Sequence, residues 1–488
     1  MSTSATPRER SRSQDRLKPG DGLVIGLLMA STFLVLLNEM LLGVALPTLI
    51  RDLGITPSAG QWLTTGYLLT LAVLIPATSF VMRRFPLRTI FLTASSVFIV
   101  GTAIAAAAPD FEVLLVARII QAIGTAVFVP LLMTTAIRLI PASRRGRIMA
   151  LVTAVPALAP AVGPAVSGLV LTFLPWRWLF ILVLPLAVIA LIAGALKLKN
   201  ITTPERASLD MLSLVLSAIG FGGLVLGLSV IGESASGHAP FSPVVPILVG
   251  VVGVAAFVLR QVALRRRGTA LLDMRIFQNR TFTVAILIML FVAMNAFGVA
   301  LVLPLVLTGA LGLSTLAIGL FLFPGGLIIA GVSWLGGRVY DRWGPLSLAV
   351  PGAVIWAASI WFLSTLTETS GAGAYLAGYL VMTAGQAMIW GPVTTLALSS
   401  LQSELYPHGS AAFTTVQQLA GAVGGAVLVS AYTIGADAAD AGRLSIAETV
   451  DAGQGAFVTA GLVAIVGIIG TLFIGRRRRS VVEAAPSV

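Results

Sequence analysis

The chain has 488 residues, of which 57% are hydrophobic and 10% are charged, and its mean hydropathy is +0.99. Because soluble domains carry about 25% charged residues, this composition excludes a soluble protein and predicts one that crosses a membrane many times. The absence of cysteine and the presence of only two histidines, far apart in the chain, exclude disulfides and a zinc site of these residues.

The first predicted span, 23–46, contains an acidic residue. Polar residues precede this apolar run, which is too long for a cleaved signal peptide, so we expect a retained signal anchor. Of the nineteen acidic residues in the chain, Glu39 alone lies well inside an apolar span. Since a carboxyl group is costly there, a functional role is the main hypothesis. The alternative is a neutral, hydrogen-bonded side chain that helps helices pack.

Further apolar runs bring the predicted spans to fourteen. They are 61–81, 89–108, 113–137, 148–171, 178–196, 209–231, 244–264, 281–308, 316–336, 347–366, 372–397, 410–434 and 454–475. Six spans precede residue 200 and six follow residue 280, so two form an inserted pair. We predict an all-α polytopic protein with five parts. They are a cytoplasmic tail (1–22), a six-helix half (23–200), the inserted pair with flanking cytoplasmic loops (201–280), a second six-helix half (281–475) and a basic cytoplasmic tail (476–488).

The net charge of +12 invites a comparison with nucleic-acid-binding proteins, but the basic residues follow the predicted topology. Of the 31 Lys and Arg residues, 27 lie in or beside segments on the side of the N-terminal tail. Three, Arg51, Arg177 and Arg443, lie on the other side, and Arg118 lies within a span. The positive-inside rule therefore places both termini in the cytoplasm and accounts for the charge without a nucleic-acid partner.

The fourth span carries Arg118 at a depth close to that of Glu39. Arg118 follows Glu112 by six residues and Glu39 precedes Leu46 by seven, which places both roughly 10 Å below the outer boundary. We expect the two groups to interact directly, through water or through Gln121. Burial disfavours a charged carboxyl group and a nearby cation favours it, so hydration or a bound cation would switch the protonation of Glu39. A structural clamp on neighbouring carbonyls remains an equal alternative for Arg118.

The fifth span is expected to bend. Pro156, Pro160 and Pro164 recur every four residues, and each removes a backbone hydrogen bond. Small residues, including Gly163 and Gly168, would let another helix approach closely. The functional hypothesis is a sliding contact between the halves that also blocks a proton leak, and the alternative is a kinked helix without a moving part.

An internal repeat relates the two halves. Leu-Gly-Ile-Thr at 53–56 recurs as Leu-Gly-Leu-Ser at 311–314, and the same offset of 258 residues carries Arg84 to Arg342. Duplicated halves are the usual construction of secondary transporters, in which the binding site lies near the midplane between them.

Several motifs resemble those of one family. Gly-Arg-Val-Tyr-Asp-Arg-Trp-Gly at 337–344 resembles the loop signature Gly-x-x-x-Asp-Arg-x-Gly of the major facilitator superfamily, and 114–124 resembles its fourth-span signature. Gly-Pro-Ala-Val-Ser-Gly at 163–168 is similar to the antiporter signature Gly-Pro-x-x-Gly-Gly. The segments 38–47 and 176–180 resemble the fourteen-span drug:proton antiporters of the EmrB/QacA kind.

The resemblance implies a major facilitator fold of two six-helix halves with two inserted helices. It also implies a bacterial plasma-membrane protein, working as a monomer, that exports lipophilic or cationic drug-like molecules against protons by alternating access. Its partners would be a small-molecule substrate, protons and the lipid bilayer, with a proton gradient and no cofactor. An enzyme or ATP-driven pump is disfavoured, because none of the three lysines follows a glycine as a P-loop requires. A proton-coupled transporter of one endogenous metabolite or lipid, exporter or importer, stays open as the second reading.

The first-half loop departs from the family signature. Arg83 stands where the superfamily has Asp, and Pro86 stands where it has Gly, so we expect a cytoplasmic latch to depend more on Asp341. A role of the first-half arginines in topology alone is the even alternative. The expected gating residues are Arg84, Arg338, Asp341 and Arg342 in the loops, and Pro160, Gly163, Pro164 and Gly168 in the fifth span.

Aromatic and amide side chains within several spans are candidates for a substrate cavity, since such surfaces suit flat, lipophilic molecules. We expect proton coupling by Glu39 and Arg118, and we expect only about half of the candidates to touch substrate, because many membrane aromatics pack against lipid or helices. The candidates are Asn38, Trp62, Tyr67, Gln121, Phe128, Asn295, Phe297, Gln386, Trp390, Phe413 and Gln417.

Overall fold

The computed structural model describes residues 20–55, 57–141, 144–200, 210–235, 242–265, 270–436 and 445–472, and their regular structure is helical. The predicted basic tail 476–488 and all but the last residues of the tail 1–22 lie outside this part. The predicted loops flanking the inserted pair also lie partly outside it.

In the first half, three of the six predicted spans are divided into shorter helices. The helices are α1 (Asp21–Leu53), α2 (Pro57–Leu74), α3 (Thr78–Arg84), α4 (Leu87–Ala107), α5 (Phe111–Thr125), α6 (Phe128–Leu139), α7 (Arg145–Ala157), α8 (Ala159–Phe173) and α9 (Trp178–Lys197). A 3-10 turn, Ile75–Ala77, separates α2 from α3 and contains Pro76. Prolines flank or follow each division, because proline cannot donate to the carbonyl of the preceding turn.

The predicted inserted pair and the predicted second half consist of longer, continuous helices. They are α10 (Met211–Ala235), α11 (Val244–Leu264), α12 (Arg280–Leu311), α13 (Thr315–Trp343), α14 (Leu346–Ser364), α15 (Ala372–Ser399), α16 (Tyr406–Ala436) and α17 (Ile446–Leu472). Short 3-10 turns, Met274–Gln278 and Ser403–Leu405, precede α12 and α16.

Twelve helical stretches in the described residues are long and apolar enough to cross a membrane. Val162–Phe173, in the divided fifth span, is a shorter apolar helix. Helix α15 is not among the twelve, and its sequence is rich in Gly, Thr and Tyr. The protein is therefore an all-helical, multi-pass membrane protein, and the count of fourteen spans remains a prediction.

The two copies of the internal repeat adopt the same local conformation. Gly54 ends α1 with φ 64°, and Gly312 ends α12 with φ 63°. This left-handed conformation is open to glycine at little cost, since glycine has no Cβ. After the second copy, the Ser314 side chain accepts a hydrogen bond from the Ala317 amide and caps α13. The repeat thus marks the turn after the first helix of each half.

The halves meet along two seams of different construction. In the first seam, α13 of the second half packs directly on α7 and α8 of the first half. In the second seam, α10 of the inserted pair packs on both α2 and α16, while α16 contacts α3 at the end predicted to be cytoplasmic. Ser217 of α10 donates to the carbonyl of Val73 at 3.2 Å. The inserted pair therefore bridges the second seam.

Close backbone contact and one ion pair hold the inserted helices together. A Cβ added to Gly253 would lie 2.7 Å from backbone atoms of Gly220, so only glycine permits this approach. At the predicted cytoplasmic end of the pair, Asp210 accepts hydrogen bonds from Arg260 Nε and Nη2 at 2.7 Å each. Ser213 also donates to Asp210 Oδ2, from its hydroxyl at 2.5 Å and from its amide at 2.8 Å.

Candidate functional site

Arg118 is the centre of a buried polar cluster in the first half. Its side chain on α5 is fully buried. Nη1 donates to Asn38 Oδ1 at 3.2 Å and to Gln121 Oε1 at 3.0 Å, and Nε donates to the carbonyl of Leu63 at 3.3 Å. The guanidinium lies 4.1 Å from the ring centroid of Tyr67, within cation–π range. The charge is thus held by neutral groups from α1, α2 and α5.

A second set of hydrogen bonds fixes the groups that surround Arg118. Gln121 Nε2 donates to Thr102 Oγ1 on α4 at 3.0 Å, which points the Gln121 oxygen at the guanidinium. The Tyr67 hydroxyl donates to Thr125 Oγ1 at 2.9 Å, and Thr125 donates to the carbonyl of Gln121 at 3.0 Å. The sequence analysis missed Thr102 and Thr125. Their position as polar residues within apolar spans was the available signal.

Within the described part of the chain, Glu39 lies beside this cluster without joining its hydrogen bonds. The residue is half-buried and is close enough to Arg118 for their charges to interact. The ion pairs of the described residues are Arg51–Asp52, Arg260–Asp210 and Arg275–Asp273, so Glu39 and Arg118 are not in direct ionic contact there. Among the described contacts, Asn38 Nδ2 and Arg118 Nη2 are buried donors without a hydrogen-bond partner. Both would attract a charged carboxylate more strongly than a neutral carboxyl group.

Helix α8 supports the first helix next to Glu39. A Cβ added to Gly163 would lie 2.5 Å from the Cβ of Met40, so the glycine allows the two helices to touch. Ser167 donates to the carbonyl of Leu41 at 2.8 Å. Gly168 faces Leu316 of α13. A Cβ added to Gly168 would lie 3.4 Å from the Leu316 Cα, an ordinary van der Waals distance. The side chain of Pro160 lies outside the described part, and Pro164 lies within α8.

The structure brings some of the predicted substrate-binding residues together and separates others. Asn38, Tyr67 and Gln121 all contact Arg118. Phe128 is buried against Phe91, with ring centroids 5.9 Å apart. The remaining candidates fall into three groups by exposure: Phe413 and Asn295 are buried, Phe297, Gln386, Trp390 and Gln417 are half-buried, and Trp62 is exposed.

Asn295 stands apart among the candidates in the second half. Its side chain is 1% exposed, and neither its oxygen nor its nitrogen has a hydrogen-bond partner among the described residues. An unpaired buried amide is unfavourable, so the group is available to a ligand or to water. Phe297, two residues further along α12, packs against Gly421 of α16. A Cβ added to Gly421 would lie 3.1 Å from the Phe297 ring.

At the predicted cytoplasmic end of the first seam, Asp341 binds the start of α7. Its Oδ1 accepts from the Gly146 amide at 2.8 Å and its Oδ2 accepts from the Arg147 amide at 3.1 Å. Free amides and the helix dipole make such a terminus favourable for a carboxylate. Gly337 allows the approach, since a Cβ there would lie 2.5 Å from the Arg147 Cα.

The arginines predicted to act in gating point to nearby aromatic rings. The Arg338 guanidinium lies 3.7 Å from the Trp334 ring centroid, and that of Arg342 lies 5.2 Å from the Trp343 centroid. Arg84 is exposed, 6.0 Å from the centroid of its neighbour Phe85. Of the loop residues predicted to act in gating, Asp341 makes the hydrogen bonds described here between the two halves.

Comparison with known sequences places these features in a wider group. Residues 28–425 match the sequence model of the Major Facilitator Superfamily. The lincomycin resistance protein LmrB of Bacillus subtilis is 38% identical over 462 residues, which cover 93% of this chain and 95% of that protein. The transporter YcnB of the same species, described as an uncharacterized MFS-type protein, is 36% identical over 459 residues, 94% of this chain and 96% of that one. The multidrug resistance protein B homolog of Mycobacterium tuberculosis is 29% identical over 434 residues, 87% and 79% respectively.

Solved structures share the fold at low sequence identity. The human organic anion transporter MFSD10 superposes with a TM-score of 0.67 and 15% identity, covering 93% of this chain and 100% of that one. The proton:xylose symporter XylE, bound to 6-bromo-6-deoxy-D-glucose, gives 0.61 and 15%, covering 92% and 95%.

Proposed function

This chain belongs to the major facilitator superfamily, a family of transporters and not of enzymes, and we propose that it is a proton-coupled exporter of lipophilic or cationic drug-like molecules. It works by alternating access, in which the site opens first to one side of the membrane and then to the other. The observation that carries the proposal is a half-buried acid, Glu39 of α1, beside a fully buried cation, Arg118 of α5, both within apolar helices. The resistance named in the LmrB relatives supports drug-like substrates.

The arrangement around Glu39 supports a cycle of proton and substrate exchange. Protonation from outside removes the negative charge and weakens the hold on a bound substrate cation, which leaves. Opening to the cytoplasm lets the proton go, and the carboxylate is then attracted by Arg118 and by the free amide nitrogen of Asn38. Because neutral groups hold Arg118, its position does not depend on the charge of Glu39.

The proposal includes the topology and the binding surface predicted from the sequence. The chain has fourteen spans in two six-helix halves with an inserted pair, both termini lie in the cytoplasm, and the monomer works in the bacterial plasma membrane. Substrate lies between the halves, near the polar cluster of the first half and Asn295 of the second. The unpaired amide of Asn295 supports this placement, because a substrate could use both its donor and its acceptor.

An efflux panel tests the proposal. The protein is produced in a bacterial strain that lacks its own drug pumps, and accumulation of lincosamides, lipophilic cations and neutral dyes is measured with and without a proton uncoupler. We expect lower accumulation of several compounds, restored by the uncoupler. If accumulation of the panel compounds is unaffected and a single metabolite or lipid is exported, the protein is a dedicated transporter and the drug-export proposal is refuted. Export that resists the uncoupler would refute proton coupling.

A further inference from the structure

The loop after the second span carries an arginine where its counterpart in the other half carries an acid. Arg83 and Asp341 are related by the repeat offset of 258 residues. Asp341 accepts hydrogen bonds from backbone amides at the start of α7. An arginine in the equivalent place can only donate, so it needs backbone carbonyls rather than amides as its partner.

The structure supplies those carbonyls from the segment between the inserted pair and the second half. Arg83 Nη2 donates to the carbonyl of Ala270 at 3.1 Å. The hydroxyl of Ser79, one turn earlier on α3 and fully buried, donates to the carbonyl of Leu271. We name residues 270–273 the carbonyl segment. Its carbonyls accept hydrogen bonds from side chains of the first half, just as the backbone amides at the start of α7 donate hydrogen bonds to Asp341 of the second half.

The inserted pair fixes the carbonyl segment through one glutamine. Gln261 of α11 is fully buried, and its Oε1 accepts from the amides of Leu271 at 2.8 Å and Leu272 at 3.2 Å. Its Nε2 donates to Ser213 Oγ on α10 at 2.8 Å, and Ser213 donates in turn to Asp210 Oδ2 at 2.5 Å. Each of these amides shares a planar trans peptide group with the carbonyl of the preceding residue, and the two point in opposite directions. Gln261, by holding the Leu271 and Leu272 amides, therefore turns the Ala270 and Leu271 carbonyls toward α3.

The other side of the carbonyl segment is attached to the second half. His408 of α16 is 4% exposed, and its Nδ1 lies 3.1 Å from the carbonyl oxygen of Leu271 and 3.2 Å from the amide of Asp273. The segment therefore lies between α3 of the first half and α16 of the second, at the predicted cytoplasmic end of the second seam. The contacts of Ser79 and Arg83 join the segment to the first half, whereas those of Gln261 join it to the inserted pair.

We infer that the inserted pair anchors a second cytoplasmic latch, in which Gln261 positions the Ala270 and Leu271 carbonyls to bind Ser79 and Arg83 when the cytoplasmic side is closed. The inference rests on the proposed alternating access and gives the inserted pair a role in it. Two latches of opposite polarity then close the cytoplasmic side: an acid on helix amides at the first seam, and an arginine with a serine on carbonyls at the second.

A single reporter cysteine measures the state of the cytoplasmic side. The chain contains no cysteine, so Thr414→Cys introduces a unique thiol. Thr414 is buried on α16, one turn beyond Ser410, whose hydroxyl lies 2.6 Å from Thr134 of the first half. In inside-out vesicles, an impermeant thiol reagent should reach position 414 when the cytoplasmic side opens. The rate of alkylation is the readout and needs neither substrate nor a proton gradient.

Charge reversal at Arg83 is the main test. In the reporter background, Arg83→Asp replaces the donor to the Ala270 carbonyl with a carboxylate, and we expect alkylation to accelerate by about tenfold, the usual size of a conformational coupling. Arg83→Lys keeps a donor and should change the rate by less than about threefold. Lys199 is exposed and lies on the predicted cytoplasmic side, so Lys199→Asp, with the same change of charge, should leave the rate unchanged. An unchanged rate in folded Arg83→Asp would overturn the inference.

A second variant keeps the inference testable if Arg83→Asp fails to fold. Gln261→Leu removes the acceptor for Leu271 and Leu272 and should also accelerate alkylation. The double variant Gln261→Leu, Arg83→Asp should be alkylated little faster than either single variant, because both act through the carbonyl segment. In the double variant Arg83→Asp, Asp341→Asn, the two accelerations should multiply, because the two latches are separate. Multiplying effects of Arg83→Asp and Gln261→Leu would overturn the anchor role of Gln261. If the variants accelerate alkylation of the reporter cysteine but the protein exports no compound of the efflux panel, the latch is supported and drug export is refuted.

Discussion

At the scale of single residues, Arg118 shows how a membrane protein keeps a buried cation next to an acid without pairing them. Burying a guanidinium is unfavourable unless its hydrogens find acceptors. Asn38, Gln121 and the Leu63 carbonyl provide them, and the Tyr67 ring covers one face. A permanent ion pair would hold Glu39 in one charge state. Neutral partners for Arg118 leave the carboxyl group able to gain and lose a proton.

Glu39→Gln is expected to abolish uphill export while the protein still folds. Glutamine keeps the size and hydrogen bonding of the side chain but fixes it as neutral, and a neutral group is easier to insert in a membrane. Downhill exchange of an uncharged substrate should persist, a lipophilic cation should bind more weakly, and Glu39→Asp should retain partial activity. Substrate-induced proton release in proteoliposomes measures the effect. Equal proton release by parent and Glu39→Gln would leave Glu39 a packing residue.

Sequence reasoning identified most of the centre of this cluster but not its connections. Apolar spans make polar residues conspicuous, so Glu39, Arg118 and Gln121 could be selected without a structure. The rotamers that aim Asn38 and Gln121 at the guanidinium depend on helix packing, which no local pattern encodes. For the same reason Thr125, which orients Tyr67, was missed.

At the scale of elements, the divided fifth span places two glycines in different surroundings. Proline spacing predicts a bend, and the structure ends α7 at Ala157 and starts α8 at Ala159. The pattern does not tell which neighbour each face of α8 meets. Gly163 faces the first helix at Met40, next to Glu39, and Gly168 faces α13 of the other half. The first contact lies within one half, and the second lies between halves.

Gly163→Ala and Gly168→Ala are a matched pair of variants. The new Cβ of Gly163→Ala would lie 2.5 Å from the Met40 Cβ, so α1 or α8 must shift and move Glu39. Gly168→Ala meets Leu316 at 3.4 Å, an ordinary contact. We expect export to fall by about tenfold or more for Gly163→Ala and by less than about twofold for Gly168→Ala, in line with the cost of overpacking. Uncoupler-sensitive efflux at equal expression distinguishes them, and equal activity of the two would contradict this packing argument.

Asp341→Asn is expected to leave the protein folded and to slow transport. An asparagine keeps one acceptor oxygen for the amides of Gly146 and Arg147 but loses the second and the charge that favours a helix terminus. The closed cytoplasmic state should weaken by about 1–3 kcal/mol, a usual conformational coupling. Transport rates at matched expression provide the measurement, and a normal rate for Asp341→Asn would refute a latch at this seam.

At the scale of the whole molecule, the two seams differ although the halves repeat. The first seam brings α13 directly onto α7 and α8, and the second contains the inserted α10 between α2 and α16. Hydropathy predicts a pair of spans inserted between the halves, because each apolar run can be recognised from its own residues and the runs can be counted along the chain. Where the pair docks is a property of side-chain pairs distant in sequence, such as Ser217 with Val73, and could not be predicted.

Cysteine labelling tests the predicted topology. The distribution of basic residues places residues 232–243 and 435–453 outside, and 265–280 and 338–346 in the cytoplasm. In the natural chain without cysteine, Gly237→Cys should react with an impermeant thiol reagent in intact cells, and Gly268→Cys should react only after the cells are opened. The opposite pattern would exclude fourteen spans with both termini inside.

The close contact of Gly220 with Gly253 also bears on how the protein is made. The inserted helices can pair as a hairpin as soon as both have left the ribosome, and α10 can then dock on α2 through Ser217. Helix α16, the other neighbour of α10, is synthesised later, by on the order of 10–40 s at usual translation rates. Until then lipid must cover the face of α10 that α16 will take. Completion of the second seam is thus a late step of biogenesis, in which arriving protein displaces lipid from a hairpin already in place.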